Sequence, residues 1–162
     1  MRLAVYPDAR VVVTAPTALG IEVIERFVEK HSDWVHRNIA KTAGRTVIHI
    51  QKTEIGMLKK HALTLASMRC AHFAGHYGLL YKKITIRAQK SRWGSCSRAG
   101  NLSFNYKIAA LPAHIADYII VHEICHLTEM NHSKRFWALV AKAIPNHKEL
   151  RKELRQVAVV YH

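Results

Sequence analysis

The sequence predicts an α+β domain, on three observations: short β-rich runs, longer amphipathic helical stretches among them, and a length of 162 residues that suits one hydrophobic core. Residues 2–6 and 10–15 are β-rich and flank Pro7-Asp8-Ala9, which reads as a short hairpin. Ile21, Ile24, Phe27 and Val28 form a helical stripe, and Ser32 is placed to cap a second short helix carrying Trp34, Val35 and Ile39. Residues 46–51 alternate weakly as a strand, and residues 57–77 are helical in composition until Gly75 and Gly78 end them. Residues 84–87 read as a strand, 89–100 as a polar, Ser- and Gly-containing loop, and 102–108 as a further strand. Pro112 opens a helix whose Ile115, Ile119, His122 and His126 share a face. Ser133 caps the next helix, 134–144, which Pro145 stops. Asn146 with Glu149 resembles a capping box for a last helix reaching about Val160.

The chemistry concentrates in residues 122–132, His-Glu-Ile-Cys-His-Leu-Thr-Glu-Met-Asn-His. Positions four apart on an α-helix project from one face about 5.4 Å apart, so His122 and His126 can share one ion. Glu123, offset by one residue, flanks that ion without ligating it. There it can take a proton from a water whose pKa a zinc ion lowers to about 7. A structural zinc site has four protein ligands, whereas a catalytic one has three and an open position. Glu129 shares the face of His122, but three groups in a row along one helix cannot surround an ion. Asn131 is a plausible left-handed helix terminator, which would swing His132 round as the third ligand. Three imidazoles with an open position favour Zn2+ over magnesium or calcium.

Composition bounds the rest. No apolar run approaches about 18 residues, and Pro7 and Asp8 follow Met1 too soon for a signal peptide. No membrane association and a cytoplasmic location are expected. Cys70, Cys96 and Cys125 are an odd count without paired spacing, so reduced thiols are expected; Cys125 reads as a small core residue. The net charge of +14 points to an anionic partner, nucleic acid or nucleotide among them, or to a solvated basic surface. Trp34, Trp93 and Trp137 read as packing residues, Trp137 as support for the loop that carries His132.

Two passages carry a wider likeness: Lys90-Ser91-Arg92-Trp93-Gly94-Ser95-Cys96 with Asn101-Leu102-Ser103-Phe104-Asn105, and Val121-His122-Glu123-Ile124-Cys125-His126-Leu127 running on to Asn131-His132-Ser133-Lys134-Arg135-Phe136-Trp137. Together they resemble the YgjP-like zinc metallopeptidase family, related to the SprT-like and other zincin proteases. The resemblance implies one zincin-like α+β metallopeptidase domain over 1–162, with the hairpin and first helices in 1–80 and the catalytic core in 81–162. It implies a small mixed sheet packed on helices, with the metal motif on a central helix. It also implies that the strand 102–108 borders the cleft and pairs with extended peptide, and that the Arg92 loop lies near its mouth. The chain departs from the family in the short stretch 42–59, where an extra β-rich segment is usual. Glu129 in place of a Gly, and no methionine after Met130, set it apart from the metzincins.

The expected activity is therefore hydrolysis of peptide bonds in a peptide or protein substrate, with zinc held by His122, His126 and His132 and with Glu123 as base and then acid. Arg92, Asn105 and Tyr106 are the candidate substrate contacts, and Arg92, Tyr106 and His147 the candidate oxyanion donors, His147 reading otherwise as an exposed helix start. Two rivals remain. One is a metal-dependent nucleoside triphosphate pyrophosphatase or phosphohydrolase, favoured by charge; against it stand only eleven acidic residues and no carboxylate cluster. The other is a nucleic-acid-binding module with structural zinc, with Trp93 and Phe104 as stacking residues.

Overall fold

In the computed structural model, which describes residues 1–162, the first hairpin forms where the β-rich runs predict it. Strands β1 (Arg2–Val5) and β2 (Val11–Thr14) pair antiparallel. Their loop is closed by Tyr6 N–H donating to the Arg10 carbonyl at 2.8 Å, and it places Ala9 at φ 64°. That is the left-handed position of a three-residue hairpin loop, which glycine fills at less cost. Helix α1 (Ile21–Lys30) and helix α2 (Ser32–Ala40) follow. The capping position of α2 is His31, one residue before the expected Ser32, and no side chain caps it; the His31 ring is engaged instead with the Phe27 carbonyl at 2.7 Å.

The chain divides into two compact units, Met1–Ile50 with Gln156–His162, and Gln51–Arg155. The first is completed by strand β3 (Thr46–Ile50), which pairs in parallel with a strand at the far end of the chain, β7 (Val157–Tyr161). The helix expected to reach about Val160 therefore stops at Gln156. Val157-Ala158-Val159-Val160-Tyr161 is a β-branched and aromatic run, and a partner strand 111 positions earlier in the register takes it from the helix.

The second unit is built on two helices. Helix α3 (Ile55–Tyr77) buries Ala62, Ala66, Cys70, Phe73 and Ala74, a stripe of mostly small residues that lets helix α4 (Ala113–Cys125) pack closely. Gly78, in the left-handed conformation at φ 65°, ends α3, with Leu79 N–H returning to the Ala74 carbonyl at 2.9 Å. Helix α4 is buried almost all round, from Ile115 through Cys125, as expected of a helix at the centre of a fold. Arg69 and Asp117 tie the two helices by a two-pronged ion pair, at 2.6 and 2.7 Å. Tyr77 OH donates to the Leu139 carbonyl and joins α3 to helix α5 (Lys134–Ala143).

A three-stranded sheet packs on α4 in the order β4-β6-β5: β4 (Lys83–Arg87) runs parallel to β6 (Asn101–Asn105), and β5 (Gly94–Cys96) runs antiparallel to it. The sheet is small and mixed, as expected, but two details differ from the sequence reading. The polar stretch 89–100 contains a strand, and the strand expected to line a cleft with a free edge is central, paired on both sides and buried. The free edge next to α4 belongs to β5. The expected strand also stops at Asn105, where Tyr106–Ala110 turns into a 3-10 helix. The unit closes with α5, whose cap Ser133 accepts from Phe136 N–H at 3.3 Å, and with helix α6 (His147–Gln156).

Candidate metal centre

Because α4 persists to Cys125 and His126 keeps right-handed helical backbone, His122 and His126 stay one turn apart on one face. Their Nε2 atoms lie 3.3 Å apart. The chain then turns through Leu127 and Thr128, with Glu129 N–H on the Cys125 carbonyl, and brings His132 Nε2 to 2.9 Å from His122 Nε2. Asn131 does not make the turn by a left-handed residue, since Ala9 is the one non-glycine residue at positive φ. Successive backbone hydrogen bonds after Cys125 make it instead.

One side chain under the three rings holds them together. Phe136, fully buried, stacks on His126 at a centroid distance of 4.5 Å and meets His122 and His132 edge-on at 4.9 and 4.8 Å. Trp137 stacks on His132 at 5.7 Å, so its expected role of supporting the ligand loop matches its position. His147 lies against Trp137 at 5.5 Å and is 8% exposed, so it is a buried packing residue and not the exposed helix start expected.

The three histidines suit a cation. Their ligand atoms all lie within 4.8 Å of one another. Bonds of about 2.0–2.1 Å meeting at a tetrahedral angle would put the nitrogens about 3.3 Å apart, close to the spacing of His122 and His126. The Glu129 carbonyl lies 2.9 Å from His126 Nδ1 and can accept a proton from it, which leaves the Nε2 lone pair turned to the centre. Burial, then the charges of His126, His132 and Arg151, push the His122 imidazole down to about 3, so it is neutral and able to donate a lone pair. Three imidazole nitrogens facing one point have too few protons to satisfy one another, and a positive ion resolves the conflict.

Glu123 stands beside this triad, 6% exposed. Burial pushes its carboxyl up to about 8, opposed by the Arg92 guanidinium. Its room comes from Gly94 on β5: a Cβ there would sit 2.7 Å from both Glu123 Cγ and Glu123 Oε1, so only glycine lets the strand come this near. A cavity of about 220 Å³ opens on one side, lined by Arg92, Trp93, Tyr118 and Leu154 together with His122 and Glu123. A second, of about 260 Å³, is lined by Arg92, Ser95, Cys96 and Met130 and reaches all three histidines.

Arg92 therefore lines both cavities with the histidines and Glu123. Asn105 and Tyr106 line neither. Asn105 is 1% exposed; its amide donates to the Gln89 and Arg92 carbonyls at 2.7 and 3.0 Å, and its Oδ1 accepts from Lys107 N–H. It fastens the loop that presents Arg92. Tyr106 is buried at the start of the 3-10 helix. Three residues of the site lie outside the sequence reading of it: Gly94 as the contact of Glu123, Phe136, and Tyr118, buried edge-on to His122 at 6.1 Å. Tyr118 precedes His122 by one helical turn, so the 3.6-residue period alone would have found it.

A central helix with a paired-histidine face, a returning third histidine and a small mixed sheet beside it define a metallopeptidase-type fold. A solved structure described as the crystal structure of the metallopeptidase zymogen of Pyrococcus abyssi abylysin shares that fold, with a TM-score of 0.52 and 24% identity over 59% of this chain and 99% of that one. No curated protein matches the sequence. The family model described as YgjP-like, metallopeptidase domain, matches residues 1–56 and 48–157. The chain belongs to the YgjP-like metallopeptidase family, as its two sequence motifs lead one to expect, and is a metal-dependent peptidase. No helix is long and apolar enough to cross a membrane.

Proposed function

We propose that this protein is a zinc peptidase in which His122, His126 and His132 hold the ion and Glu123 moves the protons. The observation that carries the reading is the convergence of three Nε2 atoms beside a buried carboxyl that two open cavities reach. A zinc ion bound there supplies positive charge that acidifies water and polarises a carbonyl. Glu123 accepts a proton from the attacking water and passes it to the leaving amine, its carboxylate form favoured by nearby positive charge. Arg92 and Tyr118 both line the smaller cavity, which supports them as the donors that stabilise the developing oxyanion. The free edge of β5 offers main-chain groups to an extended peptide, the part the family resemblance assigned to the strand now seen to be β6. Asn105 acts as a positioning residue, through the Arg92 carbonyl.

The test is hydrolysis by zinc-loaded protein of a denatured protein and of a panel of nucleoside triphosphates, each against Glu123→Gln. Peptide fragments are expected, with kcat/KM falling by about 10²–10⁴-fold in Glu123→Gln while the bound zinc is retained. Release of phosphate or pyrophosphate that depends on Glu123, without any proteolysis, would replace the peptidase reading by the nucleotide one.

A further inference from the structure

Next to the metal centre lies a third cavity, of about 300 Å³, lined by Lys134, Trp137, His147, Lys148 and Arg151. It opens between the starts of α5 and α6, and Trp137 forms its inner wall, the same ring that stacks on His132. The Arg151 guanidinium lies 5.0 Å from the Trp137 centroid. Helix α6 joins this cavity to the catalytic one, because Leu154, one turn beyond Arg151, lines the cavity that holds Glu123. The charge here is one-sided. Glu123 is the sole acidic residue on the walls of the three cavities, against Arg92, Lys134, Lys148 and Arg151. None of the ion pairs Arg10–Asp8, Arg69–Asp117 and His114–Glu153 uses those four cations.

Lys134, Lys148 and Arg151 gathered round one cavity repel one another, and a low-dielectric wall sharpens their field; an anionic ligand turns that repulsion into attraction. At about 300 Å³ the cavity has room for an amino-acid side chain and to spare. Its aromatic ring is already stacked by His132, His147 and Arg151, which leaves no platform for a nucleobase. Carboxylate, held by Arg and Lys in charge-assisted hydrogen bonds, fits both facts.

We propose that this cavity is a carboxylate-binding specificity subsite, in which Lys134, Lys148 and Arg151 hold an acidic side chain or the free α-carboxylate of a peptide whose scissile bond lies at Glu123. The subsite rests on the peptidase reading and makes the enzyme selective for acidic peptides.

The experiment measures fluorescence anisotropy with zinc-loaded Glu123→Gln protein, which binds peptide without consuming it. The probes are labelled peptides of equal length carrying two Glu, two Gln in their place, or two Gln with the C-terminus free or amidated. Binding of the Glu peptide is expected to be about tenfold tighter than that of the amidated Gln peptide. That ratio should fall close to one with Arg151→Gln or with the exposed pair Lys134→Gln/Lys148→Gln, so a folding failure in one variant leaves the other informative. It should persist with Lys59→Gln/Lys60→Gln, which removes equal charge from the exposed side of α3. An advantage that follows the free C-terminus, and not the glutamates, identifies the α-carboxylate as the ligand. Equal binding of all peptides overturns the proposal, as does an equal loss of preference in the Lys59/Lys60 variant. Because binding is read without turnover, an inactive native enzyme would sink the peptidase reading and still leave this comparison legible.

Discussion

Gly94 and Glu123 touch so closely that the smallest side-chain addition is a test of the site. In Gly94→Ala the new Cβ, 2.7 Å from Glu123 Oε1, forces either the carboxyl or the strand aside. A displacement of about 1 Å at a reacting group costs on the order of 10²-fold in rate, so kcat is expected to fall by at least that while zinc content stays at one ion per chain. Steady-state kinetics with metal analysis decides it. The thiols give a second check at this scale. Burial pushes Cys70 up to about 12 and Cys96 up to about 11, Glu123 adding to the shift at Cys96, so near pH 8 both stay protonated in the folded protein. Iodoacetamide labelling at that pH is expected to be slow until denaturant is added, and rapid modification of native Cys96 would show its surroundings to be otherwise. At this scale the sequence revealed what is local. His122, Glu123 and His126 were legible because five consecutive residues on a helix fix their geometry. The roles of Phe136 and Gly94 were not, although both stand in the passages that carry the family likeness, because those roles arise where α5 and β5 meet α4.

At the scale of elements, the ion pair between α3 and α4 is the most exposed to test. Arg69→Ala leaves Asp117 half-buried without its two-pronged partner, at a cost of about 1–3 kcal/mol, a drop of a few degrees in Tm by calorimetry. An unchanged Tm would mean that water replaces the guanidinium without loss. The elements that sequence reading found are those whose own pattern specifies them: the first hairpin, α3 up to Gly78, α4 after Pro112 and α5 after Ser133. Those it missed owe their form to distant partners. β5 is Gly-Ser-Cys, three residues without strand propensity, which only pairing with β6 makes a strand. Tyr106 through Ile108 alternates like a strand, but backbone turned by the Asn105 side chain becomes a 3-10 helix.

For the molecule as a whole, the ion and the fold are linked by mass action. Zinc that binds only the folded chain raises stability by about 2.7 kcal/mol at a hundred times its dissociation constant. A thermal scan of metal-stripped protein should therefore show Tm rising with added zinc and falling with chelator, and His132→Ala should flatten that dependence. A Tm indifferent to zinc would argue against the triad as its site. The charge of +14 was plain from composition, but its meaning depends on which cations converge, and that is set by how α5 and α6 pack beside the histidines. Likewise the pairing of β3 with β7 joins residues 46–50 to residues 157–161, and no local pattern announces a partner so far along the chain.

The short edge of the sheet also limits what this enzyme can digest. Three residues of β5 offer main-chain groups beside Glu123, and each hydrogen bond there must be matched by an extended backbone. A helix or an intact sheet has already used those groups within itself. On the proposed pairing with β5, an intact folded protein is expected to be cut far more slowly than the same chain unfolded, because only a released segment has free main-chain groups to offer that edge.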